Sequence, residues 1–463
     1  MTFSDWLKSL QNKTVAIIGI GVSNTPLIRL LARSGVQVTA CDKASPEAFG
    51  NDALLEELRT LGVRLQMGEG YLDGLDQDYI FRSPGIRPDL PAFQAAVARG
   101  SRLTSEMEVF FDVCPCHKIA VTGSDGKTTT TTIIARLLEA AGYTVHLGGN
   151  IGTPLLDQAG QMQPEDYAVL ELSSFQLMTM HASPEIAVIT NLAPNHLDIH
   201  RGMEEYVAAK ENIYLWQSET GKLVLNHDNE YTRSFAPKAR GDVVWFARQS
   251  AVDSGVTVED GVIVVKGAHS RTVLPLGDIL LPGVHNQENY MAAIAAVDGL
   301  VPDEVIRSFA KTFGGVEHRI ELVRELDGVR YYNDSIASSP TRTIAGLRSF
   351  AQKVILIAGG YDKHLDYAPL GPEILAHVKD LVLTGATAPK IRAAVEQAPG
   401  YRPDTLPIYD GLDFAGAVRK ASELAQPGDV VILSPASASF DQFKNFMVRG
   451  NTFKALVRGL DAK

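Results

Sequence analysis

Lys127 and Thr128 stand where a cation and a hydroxyl can meet a phosphate group. They close the string Thr122-Gly-Ser-Asp-Gly-Lys-Thr128. Gly123 and Gly126 allow the backbone to turn its N–H groups toward one point, and a following helix would add its positive end. Lys127 neutralises phosphate charge, and the Thr128 hydroxyl suits Mg²⁺. Ser124, Asp125 and Thr129 complete the loop and the first helical turn. The string is shorter than a strict Walker A motif, whose first glycine would fall at Val121. Further along, Glu171 ends the apolar run Tyr167-Ala-Val-Leu, a position suited to a Mg²⁺ carboxylate, although a helix cap or a solvated acid fits the position too. His196 follows the run Ile186 to Thr190. Lys210 lies among Ala208, Ala209 and Ile213, so part of its stem is expected to be buried, against the ordinary expectation of a solvated lysine.

These residues need elements to position them. Ile119 to Val121 read as a strand entering the loop, and Thr129 to Leu138 as the helix leaving it. The same strand-then-polar-turn pattern recurs before Glu171 and before His196, which places all three groups on one sheet edge. Residues 222 to 281 hold short β-like runs that would add an antiparallel edge. Asn286 and Asn289 are three apart at a helix start, so both amides can face one ligand. Past Gly314-Gly315 come His318-Arg319 and the strand Val329 to Asn333, which delivers Asp334. Val354 to Ala358, Leu381 to Leu383 and Val430 to Leu433 repeat the pattern, as in a further Rossmann-like segment.

The start of the chain reads as a βαβ unit with parallel strands. Thr14 to Ile18 is followed by Gly19-Ile-Gly21-Val22-Ser23-Asn24, then a helix over Pro26 to Arg33, then Val36 to Cys41 ending at Asp42. This is similar to the dinucleotide fingerprint, but Asn24 stands at the third glycine. It supports a phosphate-bearing ligand at the first turn, with Asp42 placed to accept from a ribose or base; a plain Rossmann-like scaffold fits the same pattern. The run Tyr79 to Phe81 ends at the turn Ser83-Pro-Gly-Ile86, on the edge where open α/β sheets bind ligands. An acidic amphipathic stretch, Ser105 to Phe111, marks a boundary before the phosphate loop.

A chain of 463 residues implies two to four domains. A hydrophobic content of 45% and charged content of 21% are those of a globular protein. The net charge of -11 argues against broad nucleic-acid binding, so cations for phosphate must be concentrated locally. Three cysteines build no disulfide framework and fit a reducing cytoplasm. Cys114 and Cys116 flank Pro115 without a second pair nearby, so the sequence alone does not predict a zinc site there. The N-terminus lacks a signal-peptide pattern, and no apolar run reaches membrane-spanning length.

Together these motifs resemble the ATP-dependent Mur ligases of peptidoglycan synthesis over nearly the whole chain. Within that family, Gly149-Asn150-Ile-Gly152, Glu171-Leu-Ser-Ser-Phe-Gln-Leu177 and Ser434-Pro-Ala-Ser-Ala-Ser-Phe-Asp-Gln-Phe-Lys-Asn-Phe446 are similar to the member that joins D-glutamate to UDP-N-acetylmuramoyl-L-alanine. The familiar Asp-Ser-Lys-Ala-Thr-Asn run departs here, with Ile336 for the lysine and Ser338 for the threonine.

The resemblance implies an α/β fold of three domains. A Rossmann-like domain over 1–105 would take the UDP substrate, a P-loop-type ATPase sheet over 106–314 would bind ATP, and a Rossmann-like domain over 315–463 would bind the incoming amino acid. Closure around one cleft is expected. Gly123, Ser124, Asp125, Gly126, Lys127, Thr128, Thr129, Asn286, Asn289, Arg319 and Asp334 would hold ATP. Thr128 and Glu171 would hold one Mg²⁺; His196 and a carbamylated Lys210 would hold a second. Lys127, His196, Lys210 and Arg319 would be the catalytic groups. Gly21, Val22, Ser23 and Asn24 would meet the diphosphate, Asp42 the uridine, and Ser83, Asn150, Ser173 and His196 the rest of that substrate. Ser338, Lys363, Ser439 and Phe446 would meet D-glutamate. A cytoplasmic monomer, without membrane or nucleic-acid partners, is expected. Two other classes stay open on the residues: another acid–amine ligase such as a folylpolyglutamate synthase, and a nicotinamide oxidoreductase or non-catalytic nucleotide-responsive protein.

Overall fold

The computed structural model describes residues 1–195 and 199–462, so His196 lies outside the described residues. The chain forms two compact units: Met1–Leu276 with Glu288–Arg307, and Gly277–Gln287 with Ser308–Lys463.

The first unit contains two sheets. One is parallel and runs β3-β2-β1-β4-β5, from β1 (Thr14–Ile18), β2 (Gln37–Asp42), β3 (Arg64–Met67), β4 (Tyr79–Arg82) and β5 (Arg102–Thr104). Strand order reverses between β1 and β4, which puts the first turn and the Ser83 turn at a topological switch point. The other sheet comprises β6 (His117–Thr122), β7 (Val145–Gly149), β8 (Tyr167–Glu171), β9 (Ile186–Ile189), β10 (Lys222–Asn226), β11 (Asp242–Ala247), β12 (Gly255–Glu259), β13 (Val262–Lys266) and β14 (Arg271–Pro275). Its order is β14-β13-β12-β11-β10-β9-β6-β8-β7.

The expected antiparallel edge is confined to the last three of these strands. β10 pairs parallel with β9, β11 with β10, and β12 with β11; only β12-β13-β14 alternate. The physical reason lies in the connections. A crossover returns each of the earlier strands to the same direction, whereas the short turn Asp260-Gly261 can only reverse the chain. Ala168 to Leu170 and Ala187 to Ile189 are fully buried, which explains their continuous apolar runs: parallel strands are covered on both faces.

One apolar cluster joins both sheets of this unit, from Val15 and Leu27 through Phe110 to Leu170 and Leu225. Polar ties reinforce it. Arg82 is buried, and its guanidinium donates to the carbonyls of Pro84, Ile86 and Phe175 and to Thr179 Oγ1. Arg87 pairs bidentately with Glu205 at 2.8 and 2.9 Å and with Asp89 at 2.9 Å.

The second unit carries β15 (Glu321–Leu326), β16 (Val329–Asn333), β17 (Val354–Ala358), β18 (Val378–Thr384), β19 (Ile408–Leu412) and β20 (Val430–Leu433), ordered β15-β16-β20-β17-β18-β19. Only the hairpin β15-β16 is antiparallel. Val354, Leu356 and Ala358 pack into one core, and Ile355 and Ile357 into another on the opposite face, as a period of two requires.

Candidate active site

The phosphate loop leaves β6 at its carboxyl end and enters the helix Lys127–Ala140. Gly126 caps that helix at φ +77°, a left-handed conformation that favours glycine, and a side chain there would strike the Asn289 amide. Two N–H groups of the loop serve the protein rather than an open cradle: Ser124 N donates to Asn191 O at 2.8 Å, and Asp125 N to Asn191 Oδ1 at 3.0 Å. The first bond of the helical ladder runs from Thr130 N to Gly126 O. The N–H groups of Thr128 and Thr129 precede that ladder, the position from which a helix N-terminus binds an anion.

Around the loop the side chains are already held. Lys127 Nζ donates to Ser124 O at 2.8 Å. Thr128 Oγ1 donates to Glu171 Oε2 at 2.7 Å, and Asn150 Nδ2 to Glu171 Oε1 at 2.7 Å. Glu171, Asn150 and Thr128 thus form one short chain across the ends of β8, β7 and the helix. Thr130 Oγ1 donates to Asn289 Oδ1 at 3.2 Å. Ser173 caps the helix Ser174–Leu177 in a reciprocal box with Gln176.

Lys210 is almost wholly buried, 1% exposed, and its Nζ donates to Thr122 Oγ1 at 3.0 Å and Gly123 O at 2.9 Å. It lies over the Tyr206 ring. Burial first, and the nearby Lys127 cation second, pull its pKa well below the ordinary lysine value. The surface reading of this lysine is therefore excluded.

At the first turn, Asn24 is buried and donates to Ile18 O, Gly19 O and Ser83 Oγ, which joins the two switch-point turns. The Asp42 carboxylate accepts from Ile20 N at 2.8 Å and Ala44 N at 2.9 Å. Both residues shape the turn, while Val22 at its tip is exposed. The Gly21 carbonyl accepts from Thr25 Oγ1 at 2.8 Å.

The helix Val284–Val297 is divided between the units after Gln287. Asn286 Nδ2 donates to Pro282 O within the second unit, whereas Asn289 belongs to the first.

Within the second unit, Asp334 follows β16. It is buried, accepts from Ser434 Oγ at 2.8 Å and Ile320 N at 3.3 Å, and burial pushes its pKa to about 7 against the pull of Ser434 and Arg319. Arg449 is the residue that sequence reasoning missed here. It is 2% exposed and donates to Ser335 Oγ and O and to the carbonyls of Ser437 and Ala438. Burial lowers its pKa to about 10. Ser439 is buried, and its carbonyl accepts from Phe443 N. Phe446 accepts from Ser335 Oγ through its carbonyl and sets its ring against His318. Ser338 is half-buried, and Lys363 is exposed with its Nζ 5.6 Å from the Phe440 ring.

In the first unit, Asn191, Tyr206 and His200 were missed as well. Tyr206 Oη meets Ser124 Oγ at 2.9 Å, and His200 Nε2 meets Ser174 Oγ at 2.9 Å while its ring stacks on Phe175. No spacing in the sequence joins residues so far apart.

Comparison with known proteins agrees with this architecture. Three family profiles match in order: "Mur ligase MurD-like, N-terminal domain" over residues 13–105, "Mur ligase middle domain" over 121–297, and "Mur ligase, glutamate ligase domain" over 318–437. The chain belongs to the Mur ligase family, which catalyses ATP-dependent ligation in peptidoglycan synthesis. It is 53% identical over 463 residues to the UDP-N-acetylmuramoylalanine--D-glutamate ligase of Acetivibrio thermocellus, covering 99% of each chain. It is 52% identical over 457 residues to the enzyme of the same name from Ruminiclostridium cellulolyticum, covering 98% of each. Among solved structures, the UDP-N-acetylmuramate-alanine ligase of Thermotoga maritima shares the fold with a TM-score of 0.56 at 18% identity, over 96% of this chain and 99% of that one.

Proposed function

We propose that this protein joins the amine of D-glutamate to the alanyl carboxylate of UDP-N-acetylmuramoyl-L-alanine at the expense of ATP. The observation that carries the reading is full-length identity of about half to relatives of that name, together with the prepared loop of Lys127, Thr128, Glu171 and Asn150. The γ-phosphoryl group of ATP passes to the carboxylate, giving an acyl phosphate and ADP. The amine attacks the acyl carbon and loses a proton, and the tetrahedral intermediate expels phosphate to leave the amide.

The chain supplies what such a transfer demands, which is positioning and charge stabilisation. Lys127 would turn from the Ser124 carbonyl to the transferring phosphoryl oxygens. Asn289, Asn286, Arg319 and Asp334 would fix the nucleotide. The residues fit a Mg²⁺ ion: the Thr128 hydroxyl and Glu171 carboxylate already converge within hydrogen-bond distance, and Asn150 fixes the carboxylate from its other oxygen. Bound there, Mg²⁺ would neutralise phosphate charge. His196 and Lys210 would hold a second ion once Lys210 carried a carbamate. That modification joins the neutral amine to CO₂ and releases one proton. The suppressed basicity of buried Lys210 supports it, since only the neutral amine reacts.

Gly21 to Asn24, Asp42 and Ser83 would receive the UDP moiety at the switch point, and Asn150 and Ser173 the sugar end. Ser338, Lys363, Ser439 and Phe446 would receive D-glutamate, with Arg449 holding the Ser335 and Ser437 loops in place. The functional segments on this reading are 1–105, 106–314 and 315–463, in a cytoplasmic monomer. Among the described residues no helix is long and apolar enough to cross a membrane. The test is phosphate release with UDP-N-acetylmuramoyl-L-alanine and a panel of amino acids. D-Glutamate should support turnover and L-glutamate should not; equal rates with both would overturn the substrate assignment.

A further inference from the structure

The opposite end of the central sheet carries a group of residues that ligation does not use. The Cys116 sulfur, a His146 ring nitrogen and an Asp166 carboxylate oxygen lie within 4.8 Å of one another. Cys116 directly precedes β6, Asp166 directly precedes β8, and His146 is the second residue of β7. These three strands are neighbours in the order β6-β8-β7. Residues separated by 30 and 20 positions are therefore brought together by parallel register, with His117 and Val145 both opposite Tyr167.

From this geometry we infer a binding site for a borderline divalent transition-metal ion, best matched by Zn²⁺, with Cys116, His146 and Asp166 as ligands. Thiolate, imidazole and carboxylate are the three ligand types that Zn²⁺ takes from proteins. Hard ions such as Mg²⁺ prefer oxygen alone. Ligand atoms about 2.0 to 2.3 Å from a tetrahedral ion sit roughly 3.3 to 3.8 Å apart, so the group needs little movement. His146 Nε2 and Asp166 Oδ2 already meet at 2.9 Å and have only to part slightly. Further contacts fix the donors: Lys118 Nζ holds the carbonyls of Cys114 and Cys116, and Gln163 N donates to Asp166 Oδ2. His146 is half-buried and gives access from solvent. Cys114 lies beside Cys116 but turns its sulfur toward Met162 Sδ, so the fourth position is open to water or to a rotated Cys114.

Binding replaces the thiol S–H bond by a sulfur–metal bond and sends the proton to solvent. An ion at this site would staple the roots of the strands whose far ends carry the phosphate loop, Asn150 and Glu171.

The test is a Co²⁺ titration of the metal-stripped full chain in excess Mg²⁺. The wild type should develop a thiolate-to-cobalt charge-transfer band that saturates at one ion per chain, and should release a proton per ion. Oxygen-ligated cobalt at the ATP site gives no such band. Cys116→Ser should lose the band, and His146→Gln should weaken binding by at least an order of magnitude, with circular dichroism confirming the fold of each. Zn²⁺ should raise the thermal midpoint of the wild type but not of either variant. If Cys116→Ser does not fold, the His146→Gln titration decides alone. Absence of the band in the wild type, or its survival at full strength in both variants, overturns the site. Loss of two titratable thiols without a band would instead mark a Cys114–Cys116 disulfide and also overturn it.

Discussion

The phosphate loop of the first unit and the proposed amino-acid site of the second are prepared to different degrees. Around the loop, Lys127, Thr128, Glu171, Asn150 and Lys210 each make a hydrogen bond of 3.0 Å or less. In the second unit the loops are also well held, with Arg449 donating to backbone carbonyls and Ser434 Oγ to the Asp334 carboxylate. The proposed recognition cation is less enclosed: Lys363 is exposed, with its Nζ 5.6 Å from the ring of Phe440, itself exposed. On the proposed reading, the difference separates the steps that the two regions would serve. Fixed groups stabilise a transition state because they need no reorganisation when charge develops. An exposed surface cation acts by meeting a charged substrate, so its loss belongs to binding.

Lys127→Ala is the most severe way to test that contrast. It removes the loop cation, and kcat for phosphate release should fall by at least about a hundredfold, the range seen when one transition-state donor is lost. Circular dichroism should be unchanged, since Lys127 sits at a helix start. Near-normal turnover would sink the assignment.

Lys210→Ala comes next. The variant should be nearly inactive, and short carboxylic acids should restore part of the activity by replacing the missing carboxylate. Because burial favours the neutral amine, carbamylation should follow CO₂ concentration, visible as one added CO₂ by ¹³C NMR. Full activity without added acid would leave Lys210 a buried structural residue.

For Lys363→Ala the expected effect is smaller and lies elsewhere. The KM for D-glutamate should rise about ten- to a hundredfold, the worth of one charge-assisted hydrogen bond, while the KM for ATP moves little. The contrast between the regions breaks if ATP and UDP-substrate KM values rise and that of D-glutamate stays put.

Asp334→Asn gives the smallest signal, and it is read in stability, apart from any rise in the KM for ATP. The folded acid has its pKa raised to about 7 by burial, above that of an unfolded aspartate. Its stabilising contribution is therefore complete below about pH 4 and is lost as pH rises through about 7. Denaturation midpoints of the wild type should decline against those of the variant across that window, with a slope of up to about 1.4 kcal/mol per pH unit. Parallel pH profiles would show that Asp334 titrates normally. Glu106, whose burial also lifts it to about 7, is present in both proteins and cancels.

Much of this protein is written locally. Continuous apolar runs declare buried parallel strands, because both faces of such strands are covered. The string Thr122 to Thr128 declares a phosphate loop, because glycine at positive φ and a new helix are local properties of the backbone. Asp334 was legible as an acid at a strand end for the same reason. What the tertiary structure alone decided is everything that depends on register and burial. From its apolar neighbours the lysine at 210 reads as buried along part of its stem; packing around Tyr206 removes the amine itself from water and lowers its basicity. The edge strands at 222 to 247 run parallel because their crossovers demand it, which no residue spacing states. Arg449 and Asn191 act on loops far away in the chain. The cysteine pair at 114 and 116 has no partner in sequence, and acquires His146 and Asp166 only when three parallel strands align their first residues. Local pattern specifies which element forms; long-range pairing specifies which side chains share a site, because contact between distant residues depends on how the sheets are assembled.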